Sequence, residues 1–264
     1  MKIKKFVLAA AASLLSLGVL TGCVDQSGGQ AALSQSGEIR IVATSVATCE
    51  ILDRLGVPAD QVVGVPHSDS YIVPEQYADA TSVGNPMAPD MEIVSSLNPT
   101  IVLSPNSLEG DLKPQYDNIG VDSYFLNLKS VDGMFQSIQQ LGEMLGCREA
   151  AARLCQEYED FKTSYDQQVS SQEAPTVLIL MGLPGSYVVA TESSYVGSLV
   201  KLAGGINVYG DGEGTDFLNV NTEDMLSKEP DIILRTSHAM PEQVAVMFAE
   251  EFSTNDIWSH FRAV

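Results

Sequence analysis

The sequence predicts an α/β fold of two Rossmann-like lobes joined by a long backbone helix, with a ligand cleft between the lobes. Three observations carry this expectation. From residue 38 onward, short β-branched apolar runs alternate with helical patterns. Residues 131 to 169 hold no strand candidate, and the alternation resumes beyond Pro175. Finally, residues 91–103 and 222–234 echo each other, each with a Glu near the helix start and a Pro directly before a strand.

The elements follow in order. Residues 39–43 read as a strand, followed by a helix near Cys49 to Leu55 and a second strand over 62–65. Residues 91–97 form a short helix whose first turn suits Pro89 and Asp90, and it runs into the strand 100–103. A helix near Leu112 to Asn118 leads to the strand 123–126. Phe135, Ile138, Leu141 and Leu145, then Ala151, Leu154, Tyr158 and Phe161, recur at helical spacing, with Gly146 as the expected break. A helix of some twenty residues spans about 30 Å, enough to bridge two lobes. Beyond Pro175 come a strand at 177–180, a helix over 198–202 stopped by Gly204-Gly205, a helix at 222–226 and a strand at 231–234. The expected organisation is an N-terminal lobe over 38–129, a linking helix region over 130–172 and a C-terminal lobe over 173–264.

The first residues carry a different signal. Lys2, Lys4 and Lys5 precede an almost uncharged apolar run ending in Leu20-Thr21-Gly22-Cys23. That layout is a secretory signal over 1–22, too short to be a comfortable membrane span. The Thr-Gly-Cys end resembles the bacterial lipobox, which makes Cys23 the expected site of lipidation by diacylglycerol, with palmitate among the acyl chains. Two or more chains would anchor the protein firmly on the outer face of the cell membrane. Residues 23–37 are rich in Ser, Gly and Gln and read as a flexible tether.

Charge excludes one class of partner. The formal net charge is −20, and removal of the three signal lysines leaves 11 basic against 34 acidic side chains, or −23. Such a surface repels phosphate, so nucleic acid is not an expected partner. Cys49, Cys147 and Cys155 remain after lipidation. Cys147 and Cys155, on one helical pattern, would lie about 12 Å apart and could not bridge, so buried free thiols are expected. Gly210-Asp211-Gly212-Glu213-Gly214 lacks the Walker lysine, and no G-x-S-x-G elbow occurs. No catalytic residues are expected.

Two stretches are the most specific: Val83-Gly84-Asn85-Pro86-Met87-Ala88-Pro89-Asp90-Met91-Glu92 and Leu234-Arg235-Thr236-Ser237-His238-Ala239-Met240-Pro241. With the two-lobe pattern they resemble the substrate-binding proteins of siderophore, corrinoid, haem and metal importers, and most closely the haem-binding lipoproteins of the IsdE type. The resemblance spans residues 38–264. It implies haem as the transported ligand for iron acquisition, with Met87 and His238 as the axial ligands of haem iron. A Met/His pair is an established way to hold haem. It further implies that Glu92 and Glu223 dock onto arginines of an ABC permease, whose ATPase drives import. Haem-donor surface proteins upstream and a monomeric state complete the expected partners. Met91 and Met240 are substitute sulfurs, whereas His67 and His260 fall in no matching motif and read as surface residues. The family continues past residue 264 with another strand and helix, so the C-terminal lobe reads as incomplete, with an exposed sheet edge possible.

Other assignments remain compatible with the residues. The same fold could carry a siderophore or corrinoid. From a different class, the chain could be a surface enzyme or a non-transport interaction lipoprotein.

Overall fold

The computed structural model describes residues 39–67, 72–169, 173–237 and 240–263. The signal, the tether, Cys23 and His238 lie outside the described residues. In chain order the first lobe runs β1 (Ile41–Ala43), α1 (Val46–Arg54), β2 (Val62–Val65), β3 (Thr81–Ser82), β4 (Gly84–Asn85), β5 (Ala88–Pro89), α2 (Met91–Ser96), β6 (Ile101–Pro105), α3 (Glu109–Asn118) and β7 (Ser123–Leu126). Five of these strands form one sheet in the order β3-β2-β1-β6-β7, and every pairing in it is parallel.

The apolar runs explain the layering. Ile41, Ala43, Ile101 and Leu103 face one side of the sheet and pack against Cys49, Leu52 and Leu55 of the α1 region. Val42 and Val102 face the other side, against Val94 of α2 and Leu112 and Tyr116 of α3. Alternate residues of a strand point to opposite faces, so a run apolar at every position buries both.

Two helices follow, α4 (Val131–Met144) and α5 (Arg148–Val169). Gly146, at φ +73, turns the chain between them as its position predicts. Cys147 falls in that turn rather than within the helix that carries Cys155, contrary to the single helical pattern read for both. All three described cysteines are free. The helices approach closely because Gly142 has no side chain: a Cβ there would lie 2.5 Å from that of Ala151. Phe135 and Tyr158 stack across the pair with ring centroids 4.2 Å apart. Helix α5 has 22 residues and is about 33 Å long. Near its far end, the Tyr165 hydroxyl donates to the carbonyl of Ala203 at 3.0 Å.

The second lobe runs β8 (Thr176–Leu183), β9 (Ser186–Ala190), α6 (Tyr195–Leu202), β10 (Ile206–Asn207), β11 (Phe217–Leu218), α7 (Thr222–Ser227), β12 (Ile232–Ser237) and α8 (Pro241–Thr254). Strand β8 pairs in parallel with β10 and β12. It is antiparallel to β9, which in turn pairs with β11. This antiparallel part departs from a purely Rossmann-like lobe. It follows from Pro184-Gly185, where Gly185 at φ +80 closes a two-residue turn that Pro favours at its first central position. Helix α6 covers one face of this sheet, through Val196 and Val200. The other face is covered by α8, Met225 of α7 and the fully buried Trp258. Among the described residues β12 pairs only with β8, and Ile232 on it is 46% exposed.

The echo between residues 91–103 and 222–234 extends to the backbone. Each helix has six residues. Asn98 (φ +46) and Glu229 (φ +47) both adopt the left-handed conformation, immediately before Pro99 and Pro230 and the strand that follows. A left-handed residue ends each helix and frees the chain to re-enter the sheet.

Glu251 of α8 organises the chain end. Its carboxylate accepts hydrogen bonds from the Trp258 indole N–H at 3.0 Å, the Asn255 amide at 2.9 Å and the Tyr187 hydroxyl at 3.1 Å. These bonds, that of Trp258 foremost, hold the carboxyl below its usual range against the opposing effect of burial. A depressed folded pKa adds stability above the unfolded value of about 4.3, and that stability is lost as pH falls through the folded value. Glu251→Ala should lower unfolding free energy at neutral pH by about 1–3 kcal/mol, because the buried indole N–H loses its acceptor. In denaturant titrations the gap from the unsubstituted protein should narrow below about pH 4; a gap independent of pH would contradict this assignment.

Candidate functional site

In parallel α/β sheets, ligands gather beyond the carboxyl ends of the strands. Those ends in the first lobe are held by a buried chain of hydroxyls. Thr44 Oγ1, after β1, lies 2.7 Å from Ser104 Oγ of β6, which lies 3.1 Å from the Tyr116 hydroxyl of α3. Burial pushes the Tyr116 phenol up, so it stays a neutral partner. Ser45 caps α1 by accepting from the Thr48 N–H at 3.1 Å.

Residues 83–90 form a β-hairpin. Gly84 pairs with Pro89 and Asn85 with Ala88, leaving Pro86 and Met87 as the two turn residues. Gly84 adopts φ +90, which suits glycine. The hairpin is fastened to the end of β2 by backbone bonds from Val83 N–H to Val65 O and from His67 N–H to Gly84 O, both 2.8 Å. Asp90 N–H closes it onto Val83 O, also at 2.8 Å. Asp90 is the N-cap of α2 rather than a first-turn residue, and accepts from the N–H groups of Glu92 (2.9 Å) and Ile93 (3.1 Å).

Met87 is 63% exposed at the hairpin tip. A Met shortly before a helix often packs back on it as a hydrophobic staple, but the staple position directly before the cap belongs here to Pro89, which is buried. The Met87 side chain is therefore available to a ligand. Met91 packs partly into the core beside Val94, whereas Met240 is 48% exposed. In the second lobe β12 continues to Ser237, further than the strand read over 231–234. His238 is the next residue along the chain and lies outside the described residues. Glu92 and Glu223 stand exposed in the first turns of α2 and α7. His67 and His260 are exposed as well.

Among the described residues no group of three or more His, Cys, Asp or Glu side chains forms a chelating set. Burial pushes the Cys49 thiol up to about 12 and also raises Cys147 and Cys155, so each stays protonated and poorly nucleophilic. No helix among the described residues is long and apolar enough to cross a membrane.

The periplasmic binding protein family model matches residues 41–264. The chain belongs to that family. The high-affinity heme uptake system protein IsdE of Staphylococcus aureus (strain Newman) is 42% identical over 252 residues, covering 95% of this chain and 84% of its own length. The crystal structure of S. aureus IsdE complexed with heme has a TM-score of 0.78 at 43% identity, covering 86% of this chain and 87% of that one. An ABC transporter substrate-binding protein from Listeria monocytogenes EGD-e gives a TM-score of 0.79 at 46% identity, with 86% of each chain covered.

As a periplasmic binding protein, this chain has the two-lobe α/β architecture expected from its sequence. The Met87 segment stood out in the sequence, but its hairpin and the 2.8 Å hydrogen bond from the Met87 N–H to Asn85 Oδ1 did not. The signal was present: Asn before Pro favours turn initiation, and an Asn side chain readily bonds the backbone two residues on.

Proposed function

We propose that this chain is a haem-binding protein that delivers haem to an ABC importer for iron acquisition. The observation that carries the reading is Met87, exposed at the tip of a hairpin whose base is tied by backbone hydrogen bonds. Haem iron takes one ligand on each face. Met87 from the first lobe and His238 from the second would supply them, and the macrocycle would lie between. Imidazole binds iron strongly in either redox state, while a thioether is softer and exchanges more readily, which suits a carrier that must release its cargo. Burial of the apolar ring supplies much of the affinity and the two ligands add specificity.

The remaining assignments complete this reading. Cys23 carries the lipid that holds the protein at the outer face of the membrane. Haem-donor surface proteins load it, and it acts as a monomer. Glu92 and Glu223, exposed on equivalent helices of the two lobes, meet arginines of the permease. The chain binds and hands over its ligand without chemical change.

Titration of haemin into the chain that starts after Cys23 should reach one-to-one saturation with a low-spin absorbance spectrum. Met87→Ala and His238→Ala should each alter the spectrum and weaken binding about ten-fold or more, the loss of one coordinate bond. Unchanged spectra and affinities in both variants would remove the ligand assignment. Glu92→Arg with Glu223→Arg should leave haemin binding intact while abolishing stimulation of the importer ATPase in proteoliposomes; full stimulation by the double variant would refute docking through these carboxylates.

A further inference from the structure

We infer that Asn85 is a positioning residue for haem binding, its carboxamide setting the direction in which Met87 presents its sulfur. This rests on the reading of Met87 as an iron ligand. Asn85 Oδ1 accepts a hydrogen bond from the Met87 N–H at 2.8 Å. Together with the strand pairing of Asn85 with Ala88, that bond spans the turn.

The turn needs it for a physical reason. Two-residue hairpins normally use central residues with positive φ, because that twist matches the strands. Neither Pro86 nor Met87 has positive φ. Pro locks its own φ near −65° and has no N–H to donate. The hairpin strands are only two residues each, so the ladder itself offers little restraint. Without the Asn85 carboxamide, the Met87 N–H would turn to water and the tip could sample several conformations. With it, the Met87 backbone is closed into a ring with the residue two before it. The base of the hairpin is fixed independently, by Val83, His67 and Asp90. Loss of the Asn85 bond would therefore loosen the tip alone and leave the core of the lobe untouched.

An exposed hydrogen bond of this kind shifts a local equilibrium by about two- to ten-fold. The full-length chain loaded with haemin should be mixed with excess apomyoglobin as scavenger and haem loss followed by absorbance. Asn85→Ala should lose haem about two- to ten-fold faster than the unsubstituted chain. The sulfur-to-ferric-iron charge-transfer band should weaken, and the thermal midpoint of the haem-free protein should not move. Asn85→Asp retains an acceptor oxygen at the same position and should restore both the rate and the band. If Asn85→Ala matches the unsubstituted chain in rate and band while Met87→Ala changes both, the positioning role is overturned. A lowered thermal midpoint with rate and band intact would overturn it too, showing a purely structural residue. If Met87→Ala also changes neither, the ligand reading itself fails and takes this inference with it.

Discussion

The close packing of α4 on α5 is the constraint on which the rest depends. Each lobe has its own sheet and its own core, and a flat macrocycle can be gripped from two sides only if the two walls keep a set relation. Gly142 lets the helices touch at Ala151, and the Phe135–Tyr158 stack extends that contact. The first half of the pair is part of the first lobe, since Ile138, Leu141, Met144 and Ala151 belong to its core. The far end reaches the second lobe through the bond from Tyr165 to Ala203. Lys129, just before α4, adds an ion pair to Asp216 of the second lobe at 3.5 Å. That pair is partly exposed and contributes little by itself. A helical connection of this kind resists hinge bending, so the cost of ordering two lobes around a ligand is small.

Within that frame the segments that carry Met87 and His238 each follow the carboxyl end of a strand along the chain. In the first lobe that segment is a hairpin tied to the end of β2 and closed at Asp90, the cap of α2, so a flexible thioether side chain stands on a defined backbone. In the second lobe β12 extends to Ser237, directly ahead of His238 along the chain. The helices that carry Glu92 and Glu223 are likewise equivalent, with the same length and the same left-handed exit. One supersecondary unit, used twice, thus places a carboxylate on each lobe.

Much of this was legible in the sequence because the signals were local. Val62–Val65 and Ser123–Leu126 were bounded as strands to the residue, since β-branched or aromatic runs flanked by polar residues or proline leave little choice. The repeat of helix, Pro and strand was readable from the Glu and Pro spacing, whereas the left-handed residue before each Pro was not. Strand β9 was not read, although Pro184-Gly185 announces the turn before it, because the expectation of a parallel lobe left no place for an antiparallel partner. Strands β3, β10 and β11 have two residues each, too short for any periodicity. At the site, Met87 and Glu92 could be singled out only with the help of the surrounding motif. An exposed Met has no periodic signature, and the role of Asn85 depends on where one amide points.

We propose that one thioether and one imidazole, from opposite lobes, hold the haem iron. Softness favours the sulfur for a carrier, because its bond to iron is exchangeable, while the imidazole retains the iron in either redox state. Iron X-ray absorption on the haem-loaded full-length chain tests this most directly. One sulfur atom should be bonded to iron in the unsubstituted protein, absent in Met87→Ala and retained in Met240→Ala. No sulfur on the iron of the unsubstituted protein, or a sulfur that survives Met87→Ala and disappears in Met240→Ala, would contradict it.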